Sequence, residues 1–199
     1  MLRWCREGAW GRLILDAPRD KNKLSIAFLE RLLTVLTGPQ AAGCRYLSLE
    51  STSDEIFAAG ADMHELLALD ERSAHAYSSL GQEVMNALES SRATVFALVS
   101  GPCFGGGFDL VLACHHIWAT EKSVFCHPGA YLGILTGFGG TVRLPKRINA
   151  HMARHMLTTG YRLKASEGFR LGLVERVFPH GALMRRHFAE KVHSAGNRP

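Results

Sequence analysis

The sequence predicts an α/β domain in which buried strands alternate with helices, and three observations predict it. Short β-rich apolar segments recur along the chain with turn residues at their ends, and the intervals between them carry helical apolar spacing. The 199 residues suit a single domain spanning 1–199. A composition of 47% hydrophobic and 21% charged residues permits a buried core and excludes wholesale disorder.

In chain order, Gly11 to Ala17 (GRLILDA) is the first predicted strand. Ser25 to Leu36 follows as a helix whose apolar positions repeat at helical spacing behind a Ser N-cap. Arg45 to Ser51 is the second strand, and Glu71 to Leu88 a longer amphipathic helix. Thr94 to Ser100 is the third strand. It leads through a glycine-rich turn into an apolar helix over Gly106 to Ala113, and His116 to Thr120 is the fourth strand. Further helices are predicted at Ala150 to Thr158, Ser166 to Leu171 and Ala182 to Val192. No repeat or low-complexity run interrupts this order.

Several function classes fall away. No segment reaches the ~18 apolar residues of a membrane helix, and MLRWCREGAW carries charges where a secretion signal has an apolar centre. The expected location is therefore cytoplasmic, without membrane association. Five scattered cysteines, with no CxxC pair, fit reduced thiols better than a disulfide frame or zinc site. Cys103, ahead of a helix, is weighed as a nucleophile of lowered pKa, and a small core residue is the commoner outcome. His151 and His155 sit at i, i+4 without a third ligand, so no metal is expected. His115 and His116, read as strand neighbours, point to opposite faces. The net charge of +5 is uneven: residues 1–142 hold 11 Lys+Arg against 15 Asp+Glu, and residues 143–199 hold 12 against 3. An anionic partner is drawn to the basic half, but no aromatics interleave with the cations as nucleic-acid binding would require.

Two loops carry the chemistry. Phe57-Ala58-Ala59-Gly60-Ala61-Asp62 follows the second strand, and Gly101-Pro102-Cys103-Phe104-Gly105-Gly106-Gly107-Phe108-Asp109 follows the third. Each sets small residues before a helix, where backbone N–H groups are unpaired and unshielded and the helix dipole favours negative charge. Each loop is an oxyanion-donor candidate. The glycine run matches neither GxGxxG nor a P-loop, and GxSxG is absent.

On these segments the sequence resembles the enoyl-CoA hydratase/isomerase, or crotonase, superfamily. FAAGADMHEL is similar to that family's first oxyanion loop and SGPCFGGGFDLVLACHHIWATEKSVF to its second. APRDKNKLS, GFGGTVRLPKRI and MLTTGYRLKASEGFRLGLVERVFP match its other signatures in the expected order. The resemblance covers roughly residues 10–180 and implies a crotonase-like (ClpP/crotonase) spiral of ββα units, closed by a short C-terminal helix near 181–195. It also implies a thioester substrate on coenzyme A or an acyl carrier protein, no cofactor apart from that coenzyme A, a role in fatty acid metabolism, and assembly as a homotrimer or dimer of trimers.

By position, the resemblance implies that the backbone N–H groups of Ala61 and Gly106 hold the thioester oxygen as it gains charge in an enolate-like transition state. Lys21, Ala59, Gly60 and Asp62 match positions near the coenzyme A. The acid/base residues depart from the family. Its hydratases use two glutamates, and here Asp109 and Gly129 stand at those positions. The sequence therefore lacks the pair of glutamates that hydration in this family uses. Asp109 matches the GGGxD motif of the dienoyl-CoA isomerase branch, although that branch's other carboxylates fall on Gly129 and Gly137. His127, Tyr131 and Thr136 are the candidates to substitute in proton transfer. The family also runs on past the VFP motif into helices that cover the acyl pocket. An oligomer partner supplying that lid and a more open site are the alternatives at this stage. The open classes are an isomerase, decarboxylase or thioester hydrolase, a lapsed acyl-CoA-binding protein, and an assembly subunit.

Overall fold

A computed structural model of the chain describes residues 1–196. The N-terminal part is built from β1 (Leu2–Glu7), β2 (Trp10–Leu15), α1 (Ile26–Thr37), β3 (Tyr46–Ser51), α2 (Met63–Leu67) and α3 (Glu71–Glu89). The middle holds β4 (Thr94–Val99), β5 (Pro102–Phe104), α4 (Gly106–Ala113), β6 (His116–Thr120) and β7 (Val124–Cys126). The remainder contributes α5 (Gly140–Arg147), α6 (Ala150–Thr159), β8 (Leu163–Lys164), α7 (Ala165–Arg170), β9 (Arg176–Phe178) and α8 (Gly181–Gly196).

Six strands form the main sheet in the order β1-β2-β3-β4-β6-β9. Only β1 and β2 pair antiparallel; the other neighbours are parallel. Along β4 the side chains alternate between two cores, as the period of two requires. Val95, Ala97 and Val99 join the larger core with Leu29 and Leu32 of α1, Val84 and Met85 of α3, and all of the apolar residues of α4. Phe96 and Leu98 face the other way, onto Trp10, Trp118 and the α8 residues Met184, Phe188 and Val192. A second sheet, β5-β7-β8, lies off the ends of β4 and β6 and carries the glycine-rich loop.

The predicted strands and helices all form; Gly106–Ala113 and His116–Thr120 have the predicted bounds, and the ends of the others differ by at most four residues. Ser25 caps α1, its Oγ accepting from Phe28 N at 3.2 Å. The sequence places a helix start after the first loop, where α2 forms, but not β1, β5, β7, β8, β9 or α5. Most are too short to show a period. In α5 Gly140, preceded by the N-cap Gly139, and Pro145 disguise the helix, because glycine and proline lower helix propensity. His115 lies before β6 rather than on it. Its ring nitrogens meet Val95 N and the Glu89 carbonyl, while His116 pairs with Glu175. Among the described residues no helix is long and apolar enough to cross a membrane.

Candidate functional site

The first loop is fixed from below by a residue the sequence reading passed over. Asn22, 2% exposed, accepts from Ala17 N at 2.8 Å and donates to Ser51 Oγ at 3.0 Å and to the Phe57 carbonyl at 2.9 Å. It ties the turn before α1 to the end of β3 and the loop's start. Its φ of +48° is a conformation that Asn tolerates better than most residues. The Lys21 carbonyl then accepts from Ala59 N at 2.9 Å, and Leu24 N donates to the Gly60 carbonyl at 2.8 Å.

The second loop runs beside the first. Phe57 N and Ala58 N donate to the Pro102 carbonyl, and Phe104 N donates to the Ala58 carbonyl at 2.8 Å. The two backbones close to contact at Gly60, whose φ is +98°. A Cβ there would stand 2.9 Å from the Phe104 carbonyl oxygen and 3.2 Å from Gly106 N. Only glycine fits. This packing sets Gly60, the residue before Ala61, against Gly106, and neither the Ala61 nor the Gly106 N–H has an acceptor among the described residues. Gly106 opens α4, so its N–H belongs to the unpaired first turn. The Phe138 ring and Leu24 cover its Cα side, 3.0 and 3.2 Å from where a Cβ would be.

Asp109 lies three residues on from Gly106 in α4 and is wholly buried. Thr136 donates to one carboxylate oxygen. The other, Oδ1, has no hydrogen-bond partner and lies 3.6 Å from His127 Nε2. His127 is 4% exposed, rests on Phe108 at 5.0 Å, and has neither ring nitrogen hydrogen-bonded. Burial pushes the Asp109 carboxyl up to about 7 against the opposing pull of Thr136 and Arg143. Burial likewise pushes His127 down to about 4. Between those values both groups are uncharged, which is how such a pair persists in a dry interior.

Glycines stand at the positions for a second carboxylate. A Cβ on Gly129 would meet the Ile134 carbonyl oxygen at 2.6 Å, and one on Gly137 would meet Ser78 Oγ at 2.9 Å. A Cβ on Gly140 would overlap Asp109 Oδ1 itself.

A comparison with known protein families matches residues 8–197 to the enoyl-CoA hydratase/isomerase family. The chain belongs to that family. It is 36% identical over 194 residues to the fatty acid oxidation complex subunit alpha of Vibrio cholerae, covering 93% of this chain and 27% of that protein. It is 33% identical over 166 residues to the crotonyl-CoA hydratase of Syntrophomonas wolfei, covering 83% of this chain and 64% of the relative. The chain thus spans less than two thirds of the length of both relatives. Among solved structures, enoyl-CoA hydratase from Bacillus anthracis superposes with a TM-score of 0.91 at 30% identity, over 99% of this chain and 77% of that one. The crotonase-like fold follows from that superposition.

Against the family's pattern, the structure gathers Asp109, His127 and Thr136 but not Tyr131. That ring is 66% exposed and its hydroxyl donates to the Gly160 carbonyl at 3.0 Å, so nothing joins it to the Asp109 cluster. Asp62 caps α2, accepting from His64 N at 2.9 Å, and this bond with Lys23 nearby holds its carboxyl below the usual range. Lys21 is exposed with no ion pair among the described residues. Cys103 is wholly buried, and burial with Asp109 nearby pushes its thiol well up, contrary to the lowered value considered for a nucleophile. His155 packs on the Tyr161 ring at 5.1 Å, and no three His, Cys, Asp or Glu side chains cluster as a metal site among the described residues.

Proposed function

We propose that the chain acts on an acyl thioester, carried by coenzyme A or an acyl carrier protein, and isomerises its double bond by one-base proton transfer. The observation that carries this reading is the convergence at Gly60, which leaves two unpaired N–H groups, Ala61 and Gly106, one helical turn from a single buried carboxyl.

In this reading the thioester oxygen accepts from both N–H groups. Ionised Asp109 removes a proton from the carbon beside the thioester of a 3-enoyl substrate, and the electron pair moves onto the oxygen as an enolate. The same carboxyl returns the proton two carbons further along, giving the 2-enoyl product. Preset donors stabilise the enolate, and each is worth about 10²–10³ in rate in other enzymes. A carboxyl titrating at about 7 suits a group that must both take and give a proton near neutrality. Water addition needs a second acid/base carboxyl, whereas glycines stand at 129 and 137, with the Ile134 carbonyl oxygen and Ser78 Oγ respectively lying where a Cβ would go. Entry of the acyl group requires the Phe138 ring to swing away from Gly106.

Coenzyme A contacts from Lys21, Ala59, Gly60 and Asp62, trimeric assembly, a cytoplasmic setting and a place in fatty acid metabolism belong to the same reading. A second reading, thioester binding without turnover, is favoured by the complete enclosure of Asp109.

A mass-spectrometric time course in heavy water separates them, with crotonyl-, 3-enoyl-, dienoyl-, malonyl- and saturated acyl-CoA offered to the protein. Isomerisation of the 3-enoyl thioester supports the proposal. Mass loss from malonyl-CoA alone or release of free coenzyme A points to decarboxylation or hydrolysis instead. Binding of every thioester without change overturns catalysis.

A further inference from the structure

Asp109 is enclosed, yet one of its neighbours is not. Thr136, half-buried, donates to Asp109 on one side and on the other lines a polar cavity of about 430 Å³ between α3 and α5. Ser78, Gln82, Asn86, Glu89, Arg143 and Lys146 share that cavity.

The backbone around Thr136 is pinned by the same walls. Ser78 Oγ and Gln82 Nε2 donate to the Gly137 carbonyl at 2.9 and 2.8 Å, and Arg143 Nη1 donates to the Phe138 carbonyl at 3.0 Å. Arg143 is itself held by Asn86 Oδ1 at 2.6 Å and by Glu89 Oε2 at 3.0 Å. Five polar contacts therefore keep the hydroxyl on the carboxyl. The Arg143 charge favours ionised Asp109, which helps a proton leave. The charged groups facing the cavity are Arg143, Glu89 and Lys146, and the titratable groups near Asp109 on the inside are His127 and the wholly buried Cys103 thiol, which opens on no solvent. His127 offers no exit, since both ring nitrogens end without a partner in the interior.

We propose that Thr136 relays protons between Asp109 and water in this cavity, a path to solvent separate from the thioester side. The assignment rests on the reading of Asp109 as the base. Once Asp109 holds a proton on the oxygen facing Thr136, that proton passes to Thr136 Oγ while the hydroxyl's own proton passes to a cavity water. Rotation of the hydroxyl restores the starting state. One proton leaves, and no electron pair changes owner. A proton taken from substrate is thereby exchanged for one from solvent before it is returned.

The first test needs no substrate. Infrared difference spectra of wild type against Asp109→Asn identify the Asp109 carboxyl band near pH 6, where the group is protonated, and its shift on transfer to heavy water gives the exchange rate. Thr136→Val slows that exchange by roughly tenfold or more, whereas Thr136→Ser leaves it near wild type. The double variant Ser78→Ala/Gln82→Leu retains Thr136 but frees the Gly137 carbonyl, and it slows exchange in the same sense even if the valine variant does not fold. Unchanged exchange in the folded variants overturns the relay. The second test uses 3-enoyl-CoA deuterated beside the thioester, in ordinary water: product from wild type loses deuterium, and product from Thr136→Val retains it. A merely structural role lowers turnover without moving that partition. Slow exchange in Thr136→Val with no turnover by wild type refutes the isomerase reading and spares the relay; turnover with equal deuterium loss does the reverse.

Discussion

Replacing Gly60 by alanine probes the contact on which both loops depend. At φ +98° a side chain costs about 1–3 kcal/mol of backbone strain. The new Cβ would also stand 2.9 Å from the Phe104 carbonyl oxygen, where ordinary contact starts at 3.4 Å, so the loops must part by about 0.5 Å. Overpacking of that kind costs about 1–3 kcal/mol more. A loss near 3 kcal/mol lowers Tm by roughly 6–12 °C for a chain of this size. Moving Gly106 relative to Ala61 costs roughly tenfold or more in turnover, given that a 1 Å misplacement costs about 10²-fold. Gly172→Ala is the control. Its φ is +81° but nothing lies within 4 Å of the new Cβ, so it bears the strain alone and leaves turnover unchanged. Thermal melts and isomerase assays of both variants give the comparison. If Gly60→Ala is no worse than Gly172→Ala in both, the loops do not meet as described.

Further outcomes follow from the buried groups. The Asp109 pKa is raised in the folded state, so its contribution is fully present below about pH 4 and is lost as pH rises through about 7. Asp109→Asn, measured by denaturant titration across that window, therefore gains stability over wild type by an amount that grows with pH to the order of 4 kcal/mol. His127, lowered to about 4, acts with the opposite sign between about pH 4 and 6.5, so in Asp109→Asn stability rises with pH there. Turnover, which needs ionised Asp109, rises through about pH 7 in wild type. Tyr131→Phe removes one half-buried hydrogen bond to Gly160, lowers stability by about 1 kcal/mol or less, and leaves kcat unchanged; a large fall in kcat would return Tyr131 to the site. Asn22→Ala strands Ala17 N and the Phe57 carbonyl, while Ser51 Oγ keeps its bonds to Ile56 and Ser53, and lowers stability by about 2–4 kcal/mol on chemical denaturation, with turnover falling as the first loop loosens.

The strands, the main helices and both loops were legible because each is a local pattern: alternation, helical spacing, and small residues between a strand and a helix. The Gly60 contact was half legible, since glycine signals an unusual backbone but does not name what approaches it. The gathering of Asp109, Thr136 and His127 was not legible. Thr136 stands 27 residues beyond Asp109, and only the fold-back of the Pro128–Leu132 turn and the start of α5 brings it to the carboxyl. Tyr131 lies on that same turn, and the sequence could not tell that its hydroxyl faces Gly160 while Thr136 faces Asp109. Asn22 was hidden for the opposite reason: two of its three bonds reach Ser51 and Phe57, outside the segment APRDKNKLS that holds Asn22 and Ala17.

The most direct test of the central claim is the infrared spectrum of a saturated acyl-CoA, labelled with carbon-13 at the thioester carbonyl, bound to the wild-type protein. Two N–H donors from Ala61 and Gly106 polarise that carbonyl, so the account predicts a C=O band shifted to lower frequency on binding, and a shift that shrinks in Gly60→Ala. A bound thioester whose carbonyl absorbs where it does in water would contradict it.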